Sequence, residues 1–260
     1  MAAIAIAVVA GLITGLVIWA SSKNPPLLRP SGLMAGPSTT SSVAFRWSSP
    51  ATGPAPDKYL ILRDGKVIGS VPGTFTSYWG TGLPPATQFR YRVAAVRGGK
   101  RSAQSPVLVV RTATPPMSAA RLQGLWTVRI KLVRRGDLIG GSKRWAESWL
   151  TRPKCTVGPC AVRLSGEIDG HRFKVTLTRT GAVYKGKTRA NIFPCGSGPD
   201  SFPDPATLTV RVTVTKAQVE NRAWTASSWA GTLAVYSPYI SSGGYYCNAS
   251  SQTAYLSGSR

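Results

Sequence analysis

Four cysteines, one histidine and a few carboxylates are the residues of this chain that covalent or metal chemistry could use. Cys155 and Cys160 stand five positions apart around Gly158-Pro159, while Cys195 and Cys247 stand alone. A zinc site wants paired C-x2-C spacing or several histidines, and the only histidine is His171. A redox C-x-x-C is absent as well. An even set of this kind fits two disulfides. Of the three pairings that four cysteines allow, the simplest joins Cys155 to Cys160 across a hairpin and Cys195 to Cys247 between distant strands. Disulfides persist in oxidising surroundings, so the segment that carries them is expected outside the cytoplasm.

Glu167, Asp169 and His171 alternate, as a carboxylate–imidazole cluster on one strand face would. Asp169-Gly170 is a turn dipeptide, however, and a hairpin tip there breaks the face and exposes all three. Glu147 and Glu167 could be posed as a glycosidase pair, but nothing in the sequence places them near each other. Nucleophilic catalysis needs a Ser or Cys beside an oriented base, and the chain has no G-x-S-x-G. No catalytic, metal or cofactor-binding residue is assigned, and a non-enzymatic protein is expected. The aromatic residues suggest binding instead. Trp145 and Trp149 share a strand face with Glu147, and Trp224 and Trp229 lie on opposite faces of a later strand. A tryptophan strip beside cations would suit sugar rings or stacked bases, with core packing as the alternative. The candidate binding set is Trp145, Trp149, Arg129, Lys131, Lys174 and Arg211.

The elements that would carry these residues are strands. "WTVRIKL" sets Trp126, Val128, Ile130 and Leu132 against Thr127, Arg129 and Lys131. "FKVTLTR" sets Phe173, Val175 and Leu177 against Lys174 and Thr176, and "LTVRVTVT" sets Leu208, Val210, Val212 and Val214 against Thr209, Arg211 and Thr213. Period-two alternation with one wet face predicts about eight antiparallel strands over residues 121–260, closing as a barrel or stacking as a sandwich. Gly124-Leu125-Trp126 resembles the G-x-W of lipocalin-like barrels, which implies a barrel holding an apolar small molecule. The cysteine-bearing layout from "ESWLTRPKC" to the late Cys247 resembles the extracellular β domains of actinobacterial membrane proteins, some of which hang from anchors or from receptor Ser/Thr kinases.

An earlier β segment precedes it. In "SVAFRW", Val43, Phe45 and Trp47 share a face; "KYLILRDGKVIGSV" is a hairpin turning at Asp64-Gly65. Leu83, Pro85, Thr87, Phe89, Tyr91, Val93 and Ala95 recur at every second position, and "SPVLVVRTATPP" closes the unit. Trp47, Tyr59 with "LRDGK", and the Leu83-to-Val93 run make residues 25–115 resemble a fibronectin type III domain, which implies a seven-strand sandwich. The family usually has Tyr where this chain has Phe89, so a corner hydrogen bond worth about 1 kcal/mol is expected to be missing. Such domains serve as spacers or binding modules on many unrelated proteins.

Residues 2–20 carry no charge and end near Trp19, which predicts a transmembrane anchor over residues 1–22, with a signal peptide and secretion as the alternative. The only nearby cations, Lys23 and Arg29, follow the segment, against the positive-inside rule. That leaves open whether Met1 is the true start. Gly11 and Gly15 form a G-x-x-x-G that could pair two helices. The chain carries 32 basic residues against 9 acidic, a net +23, of which residues 1–115 contribute +10 and residues 116–260 contribute +13. A charge spread over both halves suggests an anionic partner: wall teichoic acid, another glycan, or extracellular nucleic acid. The expected protein is all-β, single-pass at the cell membrane with both β domains extracytoplasmic. It would act as a surface binding or sensing module, the alternatives being a lipocalin-like carrier or the ectodomain of a truncated receptor kinase.

Overall fold

The computed structural model describes residues 26–134, 143–195, 202–242 and 245–260. The expected anchor over 1–22, with Gly11 and Gly15, lies outside them. Among the described residues no helix is long and apolar enough to cross a membrane.

The first module is a sandwich of two antiparallel sheets. One holds β1 (Ser31–Ser38), β2 (Val43–Ser48) and β5 (Ser77–Gly80). The other runs β4 (Lys66–Pro72), β3 (Lys58–Arg63), β6 (Gln88–Arg97). The short β7 (Lys100–Arg101) and β8 (Leu108–Arg111) follow one another along the free edge of β6 and act as one interrupted strand. Seven strands result, as the sequence pattern predicts. Asp64 and Gly65 both take positive φ, the geometry of a two-residue I′ turn. Val43, Phe45, Trp47, Tyr59, Ile61, Phe89, Tyr91 and Val93 form the core between the sheets.

The corner at Phe89 is tied by threonines. The Thr112 hydroxyl donates to the Pro84 carbonyl at 2.7 Å and accepts the Thr87 N–H at 3.0 Å, and the Thr87 hydroxyl donates to the Pro85 carbonyl at 2.7 Å. The Arg63 guanidinium covers the Phe89 ring at 5.5 Å. The corner beside Phe89, which has no hydroxyl, is thus held by hydrogen bonds of neighbouring threonines.

The second module is a closed eight-stranded barrel, which settles the barrel-or-sandwich alternative. It contains β9 (Gly124–Arg134), β10 (Arg144–Pro153), β11 (Val162–Ile168), β12 (His171–Thr180), β13 (Val183–Cys195), β14 (Phe202–Glu220), β15 (Ala223–Ser237) and β18 (Ser250–Ser259). Each strand pairs with its chain neighbour, and β18 closes on β9. A small hairpin, β16 (Ile240–Ser242) and β17 (Tyr245–Cys247), sits between β15 and β18. This up-and-down closure leaves no free edge.

The barrel interior is filled by its own side chains. Trp126, Trp149 and Trp229 are all buried there. Trp149 stacks on Trp229 at 6.1 Å, Trp126 meets Trp229 edge-on at 6.0 Å, and Phe173 meets Trp149 edge-on at 5.3 Å. Two indoles lie flat against the wall because the strand opposite is glycine: a Cβ at Gly166 would collide with Trp149, and one at Gly258 with Trp229. The Trp126 indole N–H donates to the Thr151 hydroxyl at 2.9 Å. At that end Arg260 donates to the Gln123 carbonyl at 2.7 Å, pairs with Glu220 and lies over the Trp126 ring. Tryptophans therefore occupy the volume in which a lipocalin-like barrel would keep an apolar ligand, which corrects that expectation.

The two modules share their connection. After a single 3-10 turn at Met117–Ala119, Ala120 and Leu122 enter the barrel core, and Arg121 pairs with Thr225 in a short parallel bridge. The Trp224 indole N–H donates to the Pro116 carbonyl, and Arg222 donates to the Gly82 carbonyl of the first module at 2.7 Å.

Candidate functional site

The cysteines pair as the spacing suggests, Cys155 with Cys160 and Cys195 with Cys247. The first bridge clips the connection from β10 to β11, and Arg121 holds that connection by donating to the Thr156 and Cys155 carbonyls. The second fastens the β16–β17 hairpin to the end of β13.

Of the alternating trio only Asp169 lies in the turn and is exposed; Glu167 and His171 sit on β11 and β12 and are partly buried, which corrects the expectation that all three are exposed. Asp169 and Gly170 both have positive φ between β11 and β12, and Glu167 lies 3.7 Å from Arg172 on the surface. Glu147 and Glu167, on the neighbouring strands β10 and β11, nonetheless border one groove, although their sequence positions give no sign of it. Both line a groove of about 290 Å³ with Thr127, Ala146 and Ser148. Burial pushes the Glu147 carboxyl above the usual range, the charges of Glu167 and Asp169 push it further, and the nearby Trp145 indole opposes them.

The binding candidates divide. Trp149 is fully buried in the barrel core and is removed from the candidate surface, because its alternation with Thr151 points both side chains inward. Trp145, nearer the rim on the same face, is half-buried and packs against the core. Arg129, Lys131, Lys174 and Arg211 are exposed on the outer wall, as the wet-face assignment requires.

The closed register places several of these cations in one row across the strands. Arg144 on β10 is opposite Lys131 on β9, Lys131 opposite Tyr255 on β18, Tyr255 opposite Thr232 on β15, Thr232 opposite Arg211 on β14, and Arg211 opposite Lys185 on β13. A second row sets Arg129 between Ala146 and Ser257. These two rows enclose a hollow of about 500 Å³ on the outer wall, lined by Arg129, Lys131, Arg144, Trp145, Tyr255 and Ser257 among others. Lys174 lies apart, in a smaller groove with Arg152 and Arg163. Strand pattern alone does not single out Arg144, Lys185 or Tyr255. Each joins the group through cross-strand pairing, which depends on a register that local sequence does not state.

Residues 28–111 match the family model of the fibronectin type III domain. No curated protein matches the chain. Among solved structures, a family 28 exopolygalacturonase of Yersinia enterocolitica is similar over 36% of this chain and 21% of its own length, at 18% identity and a TM-score of 0.31. A likeness that slight carries no argument about activity. The two-sheet packing, the Asp-Gly hairpin and the Trp47–Tyr59 core agree with the family match, and residues 28–111 of this chain are a fibronectin type III domain.

Proposed function

We propose that this protein is a non-enzymatic surface binding module whose barrel holds an anionic polymer outside the cytoplasm. The observation that carries the reading is the outer wall. Arg129, Lys131 and Arg144 line an open hollow with Tyr255, and Arg211 and Lys185 continue the same row across β14 and β13. Charges fixed on a rigid barrel lose little entropy on binding, and they act together on a polymer that carries many negative groups. The fibronectin type III domain serves as the spacer between barrel and cell. The uncharged residues 2–20 anchor that spacer in the membrane, and the two disulfides keep the barrel intact in an oxidising exterior.

The test is binding of the chain to teichoic acid, an acidic glycan and single-stranded DNA across a salt series. Counterion release makes the affinity fall steeply as salt rises. An affinity that stays flat between low and high salt defeats the electrostatic reading. Protease protection of the carboxyl-terminal barrel in intact cells would defeat the topology.

A further inference from the structure

In a chain dense with arginine and lysine, residues 223–259 contain no charged residue at all. They form β15, β18 and the hairpin between them, and β15 and β18 are neighbours in the barrel. Their outward positions are short and neutral: Ala230, Thr232 and Ala234 on β15, and Thr253, Ser257 and Ser259 on β18. The exceptions are Tyr236 and Tyr255, each more than half exposed. The long side chains resume on both sides. Lys185, Lys187, Arg189 and Arg211 stand on β13 and β14; Arg129, Lys131 and Arg144 stand on β9 and β10.

Short residues lie between Arg129 and Lys131 of β9 on one side and, on the other, Arg211 of β14 with Lys185, Lys187 and Arg189 one strand beyond the threonines Thr207, Thr209 and Thr213, and make a furrow that follows the strands. Its width from Arg211 to Lys131 is three strand spacings, about 14 Å. Ten consecutive residue pairs, Ser228–Ser259 to Ser237–Ser250, give it a length of about 30 Å. Its floor offers hydroxyls, which both donate and accept hydrogen bonds, and two exposed phenol rings.

We infer that this furrow binds a single chain of a linear acidic polysaccharide, laid along β15 and β18. The inference rests on the anionic-polymer reading and specifies its site and occupant. A hydroxyl-rich chain matches a hydroxyl-lined floor, and sugar rings stack on Tyr255 and Tyr236. Carboxylates projecting to alternate sides of the chain reach the two cationic banks. A single nucleic-acid strand carries its phosphates along one backbone line and would engage one bank, leaving the other unused. A neutral polysaccharide would engage neither.

The experiment measures affinity of the full chain for alginate oligomers and for oligo-dT of matched charge, at low and high salt. Variants are Tyr255→Ala, Thr232→Glu and, as a charge-matched control on the first module, Arg92→Ala. Tyr255 is exposed and Thr232 is half-buried on the outer wall; unchanged circular dichroism and melting temperature establish that both variants fold. The expected result is tighter binding of alginate than of oligo-dT, with a loss of about tenfold or more for Tyr255→Ala and for Thr232→Glu. Arg92→Ala is expected to change it less than about twofold. Tighter binding of oligo-dT overturns the polysaccharide assignment. Unchanged alginate affinity in both furrow variants, with a loss on replacing Arg152, Arg163 and Lys174 together, overturns the furrow and leaves the anionic-polymer reading standing. Absence of binding to either polymer at low salt overturns both.

Discussion

Thr112 shows how much one buried hydroxyl can hold. It serves as donor to Pro84 and acceptor for Thr87 at the corner beside Phe89. Thr112→Val keeps the shape, removes both bonds and leaves buried backbone groups unsatisfied, so unfolding of the first module should become easier by about 1–3 kcal/mol in a urea titration. Glu147 makes the opposite case. Its folded-state carboxyl holds its proton more tightly than in the unfolded chain, so ionisation works against folding above that raised range. The penalty is relieved as pH falls through it. Glu147→Gln should therefore raise the melting temperature at about pH 7, and the difference from the parent should shrink by about pH 4. That Glu147 and Glu167 border one groove is not legible in the sequence, because they come from β10 and β11, adjacent strands whose register the local pattern does not fix.

At the level of strands, alternation reports which residues share a face, and here it does so faithfully. Trp126, Val128, Ile130 and Leu132 are inward on β9, and Leu208, Val210, Val212 and Val214 are inward on β14. Alternation does not report depth. Trp145, Glu147 and Trp149 share one face, yet Trp149 is sealed in the middle of the barrel while Trp145 reaches the rim. Closure is equally hidden, since β9 and β18 meet only after the whole meander has been laid down. The charge-free run 223–259 was the available signal for the neutral pair of strands, and its meaning depends on knowing that β15 and β18 are adjacent. Tight packing of indole on glycine makes its own demand: Gly166→Ala or Gly258→Ala must displace a buried tryptophan. Each should cost about 1–3 kcal/mol and alter the near-ultraviolet circular dichroism of the barrel.

For the molecule as a whole, the Cys195–Cys247 bridge encloses 52 residues of sequence, a span that includes β14, β15 and the β16–β17 hairpin. In the chain-entropy account such a loop contributes about 4 kcal/mol. Replacing both cysteines with alanine should lower the barrel's melting temperature markedly, and reducing agent should lower it further in the parent protein than in the variant, which keeps only the short Cys155–Cys160 bridge. The passage between the two modules has a mechanical implication. Because Ala120 and Leu122 are embedded in the barrel and Arg121 grips both β15 and the clipped β10–β11 connection, a pull applied between the first module and the barrel would arrive at residues of the barrel's own core. Traction there would have to uncork the barrel before it could lengthen the tether. The joint would hold as a rigid coupling up to a threshold force and then yield abruptly, an event that single-molecule stretching would record as one step lost in a Leu122→Ala chain.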